Sequence, residues 1–169
     1  MAAAWLVVGS MILTGAYERT IDAKNRIQIP SPAREALGGP TGVFFIVPGE
    51  RANTLAFFPE AYFEAKVASM GTDEIAGQDA LDFEQTFFSL ASRVEMDKQG
   101  RVVLPERQLA MVQIGTEVYL TGAYYRLDLW RKSDYEAFIA EAASRRATVQ
   151  AFMRMGRRGA ARPDERGSG

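Results

Sequence analysis

Two stretches of this 169-residue chain, DAKNRIQIP at 22–30 and DKQGRVVLP at 97–105, share one skeleton at a constant offset of 75 residues. Each reads Asp, three residues, Arg, apolar, any residue, apolar, Pro. An Asp opening a tight turn can accept backbone N–H bonds and hold the turn, as in an Asx turn. The Arg that follows carries a planar fork that suits phosphate oxygens or the edge of a guanine. Before each Arg stands a residue that tolerates positive φ, Asn25 or Gly100, and a hairpin turn or G1 bulge demands that at one position. More cations lie close by: Arg19, Lys24 and Arg34 around the first copy, Arg93, Lys98 and Arg107 around the second. The plainer alternative is that Asp22–Arg26 and Asp97–Arg101 are ion pairs that only lock their hairpins. For a single copy the lock is the simpler account. Two copies that both keep Asp, Arg, turn residue and Pro point to a shared structural duty plus a surface role. The residues alone leave open whether the Asp holds the turn or partners the Arg.

Composition removes most other chemistry. The chain has neither His nor Cys. The commonest general base, the commonest metal ligand, the thiolate nucleophile and the disulfide are therefore missing, and the last of these fits a reducing compartment. We expect no metal and no cofactor. A hydrolase running on Asp22 and Asp97 is disfavoured, because turn geometry accounts for both and nothing else converges on them. The net charge of −1 gives no global basic field, so a polyanionic partner has to be met by locally clustered Arg and Lys.

The elements that must position these residues also repeat. Period-two alternation around each turn (Tyr17, Arg19, Ile21 and Ile27, Ile29 in the first copy) predicts two short strands. SPAREALG after Pro30 and ERQLAMVQIG after Pro105 predict a short helix each, closed by Gly38 and Gly115. GVFFIVPG with TLAFFP, and TEVYLTGA with YRLDLW, predict a strand pair each. Val43 and Val118 keep the offset of 75, whereas Leu55 and Leu127 differ by 72, so the first copy carries a loop three residues longer. The unit is strand–turn–strand–helix–strand–strand, present twice, and the fold class is α+β, mainly β.

The expected division is a first repeat at 12–60, a helical connector at 61–88, a second repeat at 89–132, a helix at 133–155 and a disordered basic tail at 156–169. Ser133 and Glu136 form a capping-box pattern at the start of that helix. Residues 1–11 read as an extension or a misassigned start. The uncharged stretch before Glu18 is too short for a membrane span, contains two Gly and a Ser, and lacks the basic segment of a signal peptide. Residues 145–169 carry seven Arg against Asp164 and Glu165. The simpler reading is a solvated helix end favoured by the macrodipole, and the functional one is a nonspecific phosphate-binding arm. The pairs Phe44-Phe45, Phe57-Phe58 and Phe87-Phe88 read as core or subunit interface rather than as stacking platforms.

GAYERTIDAKNRIQIPSPAREAL and FFSLASRVEMDKQGRVVLPERQLA resemble the two halves of MraZ proteins, bacterial regulators built from two AbrB/SpoVT-like repeats. The resemblance runs from about Ile12 to about Phe138. It implies an interleaved, swapped-hairpin barrel with connecting helices and a C-terminal helix. It further implies a ring-like homo-oligomer, cytoplasmic and nucleoid-associated, that binds direct repeats in double-stranded promoter DNA. Those repeats would lie upstream of a division and cell-wall gene cluster that includes the regulator's own gene. Arg26 and Arg101 inherit the DNA-binding role, with Lys24, Lys98, Arg19 and Arg34 beside them and Asp22, Asn25, Asp97 and Gly100 shaping the turns. Asn25 departs from the family's usual Gly, and Arg19 stands where many members have His. The alternatives are a non-enzymatic ring-forming scaffold and an antitoxin-like protein that holds a protein partner through its C-terminal tail.

Overall fold

A computed structural model describes residues 12–36, 42–69 and 78–158. The first copy contains β1 (Ala16–Thr20), β2 (Arg26–Gln28), α1 (Ser31–Ala36), β3 (Val43–Pro48) and β4 (Thr54–Pro59). The second contains β5 (Ser92–Glu95), β6 (Arg101–Val103), α4 (Glu106–Val112), β7 (Glu117–Gly122) and β8 (Leu127–Arg131). Between them run α2 (Glu60–Ser69) and α3 (Gln78–Leu90). The class is α+β, mainly β and antiparallel.

The copies exchange partners. Among the described residues the larger sheet has six strands in the order β1-β7-β8-β4-β3-β5, and β2 pairs with β6 in a separate two-stranded ribbon. Thus β1 of the first copy lies on β7 of the second, and β5 of the second lies on β3 of the first. The larger sheet does not close into a barrel, because β1 and β5 are its free edges.

Alternation explains the core. One face of the sheet buries Phe44, Ile46, Leu55, Phe57, Val118, Leu120, Leu127 and Leu129 completely. The underside of the ribbon, Ile27 and Val102, joins the same cluster with Ile29 and Leu104 just beyond the strands. Both copies therefore supply one core, and truncating Phe57 to Ala should cost about 3–5 kcal/mol. The other face of β3 and β4 carries a second cluster in which Phe58 and Phe63 are buried and Phe45 stacks on Phe63 at 4.3 Å. Phe87 of α3 joins it from outside, 6.0 Å from Phe63. Phe88 stays 46% exposed.

Several expectations need correction. Burial equates Phe44 with Val118 and Ile46 with Leu120, an offset of 74 rather than 75. Strand pairing agrees, because Val94 opposite Phe44 matches Arg19 opposite Val118. One residue is therefore absorbed between helix and strand, and the β3–β4 loop is longer by two, not three. α4 is closed by Gln113 in a left-handed conformation (φ 50°) rather than by Gly115, and Gly38 lies outside the described residues. The single helix expected at 133–155 is two, α5 (Lys132–Ala140) and α6 (Ala142–Arg158), separated at Glu141. The apolar recurrence skips 145 and 146, where arginines stand, and Arg145 instead turns back to pair with Glu141 at 3.0 Å. α6 also runs into the stretch expected as a disordered tail. Residues 1–11 and 159–169 lie outside the described residues.

By internal contacts the chain forms two compact units, residues 1–132 and 133–169. Among the described residues no helix is long and apolar enough to cross a membrane.

Candidate nucleic-acid interface

The two motif turns are built alike, bond for bond. Asp22 Oδ1 accepts the backbone N–H of Lys24 at 2.8 Å and of Arg26 at 2.9 Å. Its other oxygen, Oδ2, accepts from Arg26 Nε at 2.7 Å. Asp97 Oδ1 accepts the N–H of Gln99 and of Arg101, both at 2.9 Å, and Oδ2 accepts from Arg101 Nε at 2.9 Å. One carboxylate thus holds the turn with one oxygen and the guanidinium with the other. The Asp–Arg lock is real, and it engages the arginine along one edge of its fork.

The turn residue has its own task. Asn25 and Gly100 sit at φ 56° and 75°. That conformation aims their carbonyls at the opposite copy: Asn25 O accepts from Leu104 N at 2.7 Å, and Gly100 O from Ile29 N at 2.9 Å. Each turn is therefore fastened to the strand of the opposite copy. Asn pays a steric cost in this region that Gly avoids.

Strand register does the rest. On the ribbon Arg26 faces Val103 and Gln28 faces Arg101. These four share the outer face, since Ile27 and Val102 between them are buried. Arg26 and Arg101 are diagonal neighbours, both with side chains 28% exposed, and a diagonal of this kind spans roughly 7–8 Å. Lys24 and Lys98 are exposed at the two turn tips. Arg34 joins them from the other copy's helix: it donates to Ser31 Oγ at 2.7 Å, and a Cβ on Gly100 would come within 2.5 Å of its Cδ.

Arg19 and Arg93 stand differently. Arg19 donates through Nε to Gln28 O at 3.1 Å and through Nη1 to Glu18 O at 2.8 Å, so it braces β1 against β2. Arg93 is held by Glu60 at 2.8 Å and Glu95 at 2.6 Å, which removes it from the cations around the second turn. Arg107 is exposed on α4. Sequence reasoning passed over Gln28, whose amide donates to Gln99 O at 2.8 Å and Gly100 O at 3.2 Å and so ties the two turns together. Its place between Ile27 and Ile29 marked it as outward-facing. It also missed Gln108, buried on α4, which donates to Ile46 O at 2.8 Å and Leu90 O at 2.6 Å.

Electrostatics follow the bonds. The Arg26 N–H bond chiefly, with the Arg26 side chain and the Lys24 N–H, holds the Asp22 carboxyl below its ordinary value of 3.8. The Arg101 N–H and side chain do the same for Asp97. A carboxyl lowered on folding contributes stability that is fully present above its ordinary value and lost as pH falls through the lower folded value. The locks should therefore be intact at neutral pH and fail as pH falls below the ordinary carboxyl value of 3.8. In acid titrations of thermal unfolding, the doubly substituted Asp22→Asn/Asp97→Asn chain should lose less stability below about pH 4 than the unsubstituted chain. Parallel acid profiles would mean that the carboxylates do not act as locks.

Comparisons with known proteins agree with one another. The family described as "MraZ protein, putative antitoxin-like" matches residues 87–155. The chain is 34% identical over 130 residues to the transcriptional regulator MraZ of Mycoplasmopsis pulmonis, spanning 76% of this chain and 84% of that one. It is 33% identical over 126 residues to the protein of the same name from Acetivibrio thermocellus, covering 73% and 84%. It is 34% identical over 130 residues to that of Moorella thermoacetica, covering 75% and 86%. At this identity, over most of both chains, the protein belongs to the MraZ family.

Proposed function

We propose that the chain is a non-enzymatic, sequence-specific DNA-binding regulator that meets the duplex with the β2–β6 ribbon and its two turns. The observation that carries this reading is the convergence of both motif arginines on one outer face, with Lys24 and Lys98 at the tips. The relatives' printed name, transcriptional regulator, supports it. In this reading Lys24 and Lys98 contact phosphates and position the ribbon, while Arg26 and Arg101 present the free edge of their forks to base edges. Arg34 adds charge beside Gly100. Arg19 acts as a brace.

The same reading takes each repeat as an incomplete half whose hairpin is swapped onto the other, and the cross-copy pairings β1–β7, β5–β3 and β2–β6 support it. It places the protein in the cytoplasm, on the nucleoid. A single chain with one ribbon binds weakly, and a ring-like homo-oligomer would engage several direct repeats at once and gain by avidity. Repeats about 10 bp apart would show the same duplex face to successive subunits. The operator is the promoter of a division and cell-wall gene cluster that includes the chain's own gene.

Fluorescence anisotropy tests this with two labelled duplexes, the region upstream of the chain's own gene and a shuffled control of the same composition. Tighter binding to the upstream duplex is expected, with log K falling linearly against log[salt] by ~0.9 per phosphate contacted. Equal, weak binding to both would overturn it in favour of the scaffold reading.

A further inference from the structure

Charge is unevenly spread along this chain. Residues 1–141 carry 13 Lys and Arg against 19 Asp and Glu, a net of −6, whereas residues 142–169 carry seven against two, a net of +5. The part that holds the ribbon is itself polyanionic, and its two motif arginines are already each held by a carboxylate. Yet phosphate neutralisation supplies most of the sequence-independent affinity of a DNA-binding protein. Lys24 and Lys98 at the turn tips supply only part of that attraction.

α6 is where the cations are. It holds five Arg and no acidic residue in 17 positions. Arg146 and Arg154 are exposed and form no ion pair with a described residue, unlike Arg145 with Glu141. At 1.5 Å per residue the helix is about 25 Å long, which matches roughly seven phosphate spacings along one strand. Its large apolar side chains, Val149, Phe152, Met153 and Met155, are 61–74% exposed, and at ~100° per residue they fall within about 160° of the helix circumference. Positions 146, 154, 157 and 158, all Arg, fall within about 120° on the remaining side. The arginine side presents one line of cations, which suits the phosphates of one strand. A helix of this kind also suits an anionic membrane surface, but a chain read as DNA-binding already has a polyanion to meet.

We infer that α6 is a phosphate-binding arm that supplies most of the sequence-independent part of the chain's affinity for duplex DNA, adding to Lys24 and Lys98, while the ribbon arginines supply discrimination. The inference rests on the DNA-binding reading of the ribbon.

The test uses the full chain with Arg146, Arg154, Arg157 and Arg158 all changed to Gln, a good helix former, and a second version with all four changed to Lys. Binding to the upstream duplex and to a mixed-sequence duplex is measured between about 50 and 200 mM salt. The Gln chain should weaken on both duplexes by the same factor, leaving their ratio unchanged. Its salt slope should fall by up to ~3.6, at ~0.9 for each of four contacts. The Lys chain should keep the original slope, which a merely structural role for the arginines would not predict. An unchanged slope in the Gln chain overturns the inference, and so does a Gln chain that alters only oligomer mass or only binding to anionic vesicles. Loss of the ratio between the duplexes would also overturn it, by placing α6 in sequence readout. If the unsubstituted chain itself shows no salt-dependent binding, the reading of the ribbon fails first.

Discussion

Changing Arg26 and Arg101 together to Ala lowers affinity for the upstream duplex by about 100-fold or more while the chain stays folded. One arginine on a base edge carries ~1–3 kcal/mol of discrimination, and each 1.4 kcal/mol is a factor of ten. The fold should survive because Asp22 and Asp97 still hold their turns through backbone N–H groups. The bonds from Asn25 O and Gly100 O to the opposite copy do not involve the arginine side chains either. The corresponding double Lys chain separates charge from shape. Lys keeps the cation but lacks both the fork and the Nε bond to the Asp. It should restore the two arginines' share of the salt slope without recovering preference for the upstream duplex over the shuffled one. Circular dichroism melts and anisotropy on the same samples decide the matter. A double Ala chain that no longer melts cooperatively would mean that the hairpin lock is the arginines' whole role.

A first-repeat fragment ending at residue 76 is unfolded by itself and gains structure when mixed with a fragment beginning at residue 77. The strand order leaves it no other course. Cutting the connector takes β7 from β1, β6 from β2, and both β8 and β5 from the β3–β4 pair. What remains in the first fragment is one hairpin, and an isolated two-stranded hairpin is marginal in water. The core is divided in the same way: Ile27 with Phe44 and Phe57 on one side, Val102 with Leu120 and Leu129 on the other. Far-UV circular dichroism of each fragment alone and of an equimolar mixture reads the outcome. A first fragment that folds independently would contradict the exchange of strands between copies.

Much of this was legible because local rules and the global fold agree. The doubled motif announces its own geometry: an Asp that can bond the backbone, a residue permissive of positive φ, and alternation that buries Ile27 and exposes Arg26. The strand–turn–strand–helix–strand–strand unit follows from the same patterns. What escaped was set by tertiary structure. The one-residue drift between α1 and β3 is silent in sequence, because Val43 and Phe44 are both apolar and only burial tells them apart. Gln113 closes α4 in a conformation that its type gives no reason to expect. Gln28 could be read as outward, but its bonds to the opposite turn depend on the β2–β6 pairing. Arg93 looked like a partner for phosphate because its acceptors, Glu60 and Glu95, come from a distant helix and a neighbouring strand position. The break at Glu141 has no Pro or Gly to mark it, only the pair of arginines at 145 and 146 where apolar residues would continue the face.

The central claim is that the two turn tips lie against DNA, and the chain's lack of cysteine makes it directly testable. Single Cys residues at Lys24, at Lys98 and, as a control, at exposed Lys66 on α2 would each carry a photoactivated cross-linker. Each labelled chain would be bound to the upstream duplex and irradiated. The account predicts cross-links from positions 24 and 98 and none from 66. A bound chain that cross-links from 66, or from neither turn, would contradict it.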